Sequence, residues 1–73
     1  MAGRNVTIGE FLTVEEIDKA EEIWKNDRKN FHKRVINEII QPNIARINKA
    51  LGQQNNPDYL AYAVEYVLGR TIP

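Results

Sequence analysis

The chain has 73 residues, with ten Lys plus Arg against ten Asp plus Glu, so its formal charge is zero; it has no Cys, and His32 and Trp24 are each alone of their kind. At this size folding removes only about 60% of the surface that the unfolded chain exposes. The composition excludes disulfides, leaves no ligand set for a structural zinc and, since the row also lacks Ser, removes the Ser and Cys nucleophiles.

The first predicted element is an extended arm. Residues 4–12 begin with an apolar/polar alternation that places Val6 and Ile8 on one face. Such a segment is either an arm packed on the helices or, from Val6 to Phe11, a strand that adds to a partner's sheet. A helix should come next. Thr13-Val14-Glu15-Glu16 is a capping-box pattern, Leu12 and Ile17 stand at staple positions, and Glu15, Glu16 and Asp18 suit the positive end of the helix dipole. Its apolar side carries Ile17, Ala20, Ile23 and Trp24. A break or tight turn is expected near Asn26, with Asn26-Asp27 ending this helix and capping the next; the alternative is a helix that runs on. Phe31, Val35, Ile36, Ile39 and Ile40 continue the 3-4 spacing up to Pro42, which disfavours helix at Gln41. Ile44, Ile47, Ala50 and Leu51 make a further stripe, either a separate short helix or a kinked continuation past Pro42, closed by Gly52 as a C-cap. In the last helix Asn56 caps, Pro57 takes the first position, Leu60, Ala63, Val64, Val67 and Leu68 face the core, and Gly69 stops it. The expected fold is all-α, a small bundle of three to four short helices. It is a single domain over residues 1–73, with an extended N-terminal arm (1–12), a helical core (13–68) and a tail (69–73).

The neutral total hides an asymmetry. Residues 1–24 carry two basic groups against six acidic ones, residues 25–50 seven against two, and residues 51–73 one against two. Either the acidic and basic segments pack together and compensate, or they form patches of opposite sign that steer partners.

Little in the chain offers catalysis. His32 lies among Lys33, Arg34 and Lys29 with no second His for a metal and no hydroxyl or thiol beside it. The carboxylates from Glu15 to Glu22 read as a solvated helix face, and Gly3, Gly9, Gly52 and Gly69 are too scattered for a phosphate-cradling loop. The expectation is a protein without enzymatic activity, cofactor or metal.

Binding is better represented. Lys25, Arg28, Lys29, Lys33 and Arg34 crowd ten residues with Phe31 and His32 interleaved, and on a continuous helix Lys25, Lys29 and Lys33 form a row able to contact RNA or DNA phosphates. The pI near 6.6 and the lack of a helix-turn-helix register argue against a dedicated DNA binder. Tyr59, Tyr62 and Tyr66 fall at i, i+3 and i+7, which sets three rings on one stripe of the last helix. Such rings either edge a thin core or form an interface, where Tyr is a favoured hot-spot residue. No apolar run approaches the roughly 20 residues of a membrane span, and no basic-then-apolar leader pattern is present.

Over its whole length the chain resembles the small regulators with which lytic Xanthomonas phages bind the RNA polymerase of their host. Its length, the Val6-Thr7-Ile8 segment, the acidic helix from Thr13 to Trp24 and the basic stretch after it carry the likeness. The resemblance implies binding to the large polymerase subunits near the RNA exit channel, disturbance of the promoter-specificity factor, inhibited initiation and antitermination. It implies that Val6 and Ile8 dock on the polymerase. It also implies that Lys25, Arg28, Lys29, Lys33 and Arg34 face emerging RNA or an acidic polymerase surface. The chain is then expected in the bacterial cytoplasm, monomeric when free. Two alternatives stand beside this: a nucleic-acid binder using residues 25–34, and a phage inhibitor of another host complex.

Overall fold

A computed structural model describes residues 8–72, and among them every regular element is helical. Helix α1 (Val14–Asn26) starts on the capping box: Glu16 N–H donates to Thr13 Oγ1 at 3.2 Å and Thr13 N–H donates to Glu16 Oε1 at 2.9 Å. These two bonds satisfy backbone donors that a helix start leaves orphaned. Ala20, Ile23 and Trp24 form its buried side. It ends at Asn26 because Asp27 leaves the helical region (φ −147°, ψ 54°), while its N–H still reaches the Ile23 carbonyl at 2.7 Å. The expected break is there. Asp27 does not cap the next turn through its side chain, which accepts instead from Asn30 Nδ2 at 3.0 Å.

The second helical stretch changes its hydrogen-bonding pattern along its length. A 3-10 turn (Arg28–Asn30) leads into α2 (Phe31–Val35), a π-helical segment (Ile36–Ile40), a second 3-10 turn (Gln41–Asn43) and α3 (Ile44–Leu51). The stretch continues past Pro42, the second of the two readings of the sequence, and Gln41 is not expelled from helix although a following Pro disfavours it: Gln41 keeps φ −57° and ψ −46°. Pro42 has no N–H, and in an α-helix its ring would crowd the carbonyl four residues back. The wider π turn before it relieves that crowding, with Gln41 N–H donating five residues back to Ile36 O. Asn43 Nδ2 then donates to the Ile39 carbonyl at 2.7 Å, so the ladder's interruption leaves that acceptor satisfied. Helix α3 closes on Gly52, whose φ of +75° is the left-handed conformation that glycine adopts without strain. Gln53 N–H bonds Asn48 O at 3.1 Å in the Schellman manner.

Helix α4 (Pro57–Thr71) begins with Asp58 N–H donating to Asn56 Oδ1 at 2.8 Å. It does not stop at Gly69 but continues to Thr71, because Gly69 lies against the Trp24 ring and the Ile72 N–H still bonds Leu68 O at 2.7 Å. No helix among the described residues is long and apolar enough to cross a membrane.

The core gathers Ile23 and Trp24 from α1, Phe31 and Val35 from α2, Ile39 and Ile40 from the π segment, Ile47 from α3, and Leu60, Val64 and Leu68 from α4. No polar or charged residue is buried among those described. Of the two readings of the arm, its described part packs on the helices and is not a strand awaiting a partner's sheet. Ile8–Glu10 is a 3-10 turn, not an extended strand, with Leu12 N–H bonding Ile8 O at 2.9 Å. Phe11 is 1% exposed and Ile8 packs on the core. The physical reason is that a lone alternating segment has no sheet to join, whereas Phe11 and Leu12 gain burial by folding back. Val6 lies outside the described residues.

Candidate protein-binding surface

Helix α4 has one face in the core and an opposite face of unusual character. Leu60, Ala61, Val64 and Leu68 are buried, while Tyr59, Tyr62 and Tyr66 are 51%, 62% and 65% exposed. Helical spacing explains this: three rings at i, i+3 and i+7 share a stripe, and the core residues occupy the other side. Two of the rings are held. Tyr62 lies 4.5 Å from the His32 ring of α2, centroid to centroid, tilted by 54°. The Tyr66 hydroxyl accepts from Arg70 Nη1 at 3.0 Å, with the guanidinium 5.4 Å from the Tyr66 centroid. His32 Nε2 also stands 3.6 Å from Asp58 Oδ1, so the first turn of α4 is tied to α2.

The basic segment is less available than its sequence indicates. Arg28 stacks 4.0 Å over Trp24 and its Nε donates to the Trp24 carbonyl at 3.2 Å. Arg34 donates to Glu38 through Nε (2.7 Å) and Nη2 (3.2 Å) and to Asp27 Oδ2 through Nη1 (3.3 Å). Those hydrogen bonds hold the Glu38 carboxyl below its ordinary range, and Lys19 Nζ, 3.3 Å away, pushes it the same way against the opposing effect of burial. Lys25, Lys29 and Lys33 remain exposed without an ion pair among the described residues. The turn at Asp27 separates Lys25 from the other two, so the three-lysine row that a continuous helix would present does not form.

Comparison with family models, with curated proteins and with solved structures finds no match.

The surface is therefore read from its own chemistry. Of the candidate contacts in the arm, Phe11 is corrected to a core residue, and Arg46 fixes it further by donating from Nη1 to its carbonyl at 3.2 Å. Arg46 Nη2 also meets both Glu16 oxygens, at 2.7 and 2.8 Å, which joins the acidic and basic segments at one point. Glu15, Asp18 and Glu22 stay exposed on α1 without ion pairs among the described residues. The charge asymmetry is thus only partly compensated inside the molecule. A shallow hollow beside α3, lined by Ile44, Ala45, Asn48, Lys49, Gln53 and Gln54, holds no carboxylate, imidazole or hydroxyl. No group of three His, Cys, Asp or Glu placed to hold a metal ion exists among the described residues.

Two residues join the tyrosine face that sequence reading did not assign to it. Arg70 stands four residues after Tyr66, a helical neighbour visible in the row. The place of His32 against Tyr62 depends on how α2 packs on α4, which no local spacing encodes.

Proposed function

We propose that this protein is a non-enzymatic regulator that acts by occupying a surface of bacterial RNA polymerase, inhibiting promoter-directed initiation and promoting read-through of terminators. The resemblance to phage polymerase regulators supplies the partner. The observation that carries a protein-binding role is the outward face of α4: three tyrosines more than half exposed above a core that is complete without them. Large aromatic groups facing water on a small domain mark interaction sites, and Tyr is enriched among the residues that dominate binding energy. Such a protein needs no nucleophile or metal, and its place of action is the bacterial cytoplasm.

The reading as a nucleic-acid binder has weaker support, because Arg28 and Arg34 are committed to Trp24 and to Glu38 with Asp27. A direct test is capture of purified bacterial RNA polymerase by the immobilised chain, and then transcription from a template with one promoter and one terminator. The expected result is retention at micromolar concentration, fewer initiated transcripts and more read-through. Failure to retain polymerase at that concentration removes the proposal.

A further inference from the structure

We infer that the outward face of α4 docks as a helix in a groove of its partner, a groove with an apolar floor and an acidic rim. The inference deepens the proposal above and rests on its partner being the polymerase. Its first support is register. Tyr59, Tyr62 and Tyr66 occupy the i, i+3 and i+7 positions through which a helix anchors itself in a groove. A helix whose outer face meets only water carries polar or charged groups there; here that face is 51–65% exposed tyrosine.

The second support is preorganisation. His32 backs the Tyr62 ring at 4.5 Å, and Arg70 holds the Tyr66 hydroxyl at 3.0 Å. Side chains ordered before binding lose less freedom on binding. The third is charge. Arg70 borders the stripe at one end, and Lys29 and Lys33 stand three residues before and one residue after His32, the α2 residue that meets Tyr62. Both lysines are exposed and without an ion pair among the described residues. Among the charged residues around the stripe, the exposed cations Arg70, Lys29 and Lys33 outnumber the one exposed carboxylate, Asp58, which lies 3.6 Å from the His32 imidazole, while Glu65 is half-buried. A cationic margin calls for carboxylates opposite it.

Shape favours a protein over a single-stranded nucleic acid. Three rings on the outside of one helix form a ridge, whereas strand-binding proteins run the backbone along a positively charged groove between stacking platforms.

The test titrates fluorescently labelled chain with purified bacterial RNA polymerase core enzyme at low and moderate salt, with circular dichroism confirming that each variant keeps its helices. Tyr62→Ala and Tyr66→Ala should each weaken binding by about thirtyfold, the loss typical of a hot-spot ring. Lys29→Glu with Lys33→Glu should weaken it about tenfold and flatten its salt dependence. Tyr59→Glu should lose more than Tyr59→Arg, because only the first repels an acidic rim. Glu15→Ala with Asp18→Ala, on α1, should change nothing. Equal binding by wild type and the tyrosine variants overturns the docking face while leaving the polymerase reading intact, and no binding by wild type overturns both. Two other outcomes also overturn it. One is tyrosine-dependent binding of a 20-nucleotide single-stranded RNA with polymerase binding unaffected. The other is a tyrosine-dependent dimer in sedimentation, which makes a second copy the occupant.

Discussion

Trp24 donates its indole N–H to the Ile72 carbonyl at 2.6 Å, across 48 residues of chain. The same ring meets Phe31 edge-on at 5.0 Å, carries the Arg28 guanidinium at 4.0 Å and lies against Gly69. One side chain of α1 thereby latches the C-terminal end of α4 and fixes the helix that bears the tyrosine stripe.

Trp24→Phe keeps much of the ring and deletes the donor, so it should cost about 1–2 kcal/mol, the range for a lost hydrogen bond that leaves a partner unsatisfied. Trp24→Ala removes the ring as well and should cost about 3–5 kcal/mol, a large part of the roughly 5–15 kcal/mol that a domain commands. Urea unfolding monitored by circular dichroism measures both. In the wild type, tryptophan emission should be blue-shifted and move red on unfolding; water-like emission from the native protein contradicts the latch.

The two informative glycines should respond in opposite directions. A Cβ at Gly69 would sit 3.8 Å from the Trp24 ring, ordinary contact distance, in a helix that continues past it. Gly69→Ala should therefore stabilise by about 0.5–1 kcal/mol through helix propensity. Gly52 has φ +75°, so Gly52→Ala should destabilise by about 1 kcal/mol or more. Thermal melts of the two variants separate the positions. A loss at Gly69 as large as at Gly52 would mean that the end of α4 is not helical.

This contrast shows which signals are legible in the row of residues. Start signals such as Thr13 with Glu16, and Asn56 with Pro57, act within one turn, and they form where their spacing places them. The tyrosine stripe is equally local, since its exposure depends on which residues of α4 are apolar. Stop signals are weaker, because tertiary contacts override them. Trp24 packs against Gly69, and the π turn with Asn43 carries the chain past Pro42. The basic segment misleads for the same reason: the turn at Asp27 brings its carboxylate to Arg34, seven residues on, and pairs that cation within the molecule. The arm reads two ways in the row, packed on the helices or added to a partner's sheet, because a period of two says nothing about whether a sheet exists to receive it.

Glu16 serves the cap of α1 and the fork of Arg46 at once, so its variants should separate the two roles. Thr13→Ala should cost about 1 kcal/mol through the cap alone. Arg46→Ala should cost up to about 1 kcal/mol, since the pair is partly exposed, and should free the Phe11 carbonyl. Glu16→Ala should approach the sum of the two. A double-mutant cycle between positions 16 and 46, read by urea unfolding, measures the coupling. Zero coupling would mean that the fork does not hold the N-terminal segment to α3.

Acid should loosen the junction between α1, the turn at Asp27 and the π segment. Hydrogen bonds from Arg34, helped by Lys19, keep the Glu38 carboxyl below its ordinary range, whereas in the unfolded chain it titrates near about 4.3. The folded state thus binds fewer protons than the unfolded state across the acid range, and stability rises with pH there. This contribution is fully present above the unfolded value and is lost as pH falls through the depressed folded one. Denaturation midpoints measured from about pH 6 down to about pH 3 should therefore drop in the wild type, and Glu38→Gln should make that drop shallower while lowering the midpoint near neutrality. The glutamine keeps an acceptor for Arg34 but carries no titrating charge, so the change in slope isolates the ionisation from the packing. Equal slopes in the two proteins would mean that acid sensitivity arises elsewhere, with the Arg46 fork on Glu16 the next pair to test.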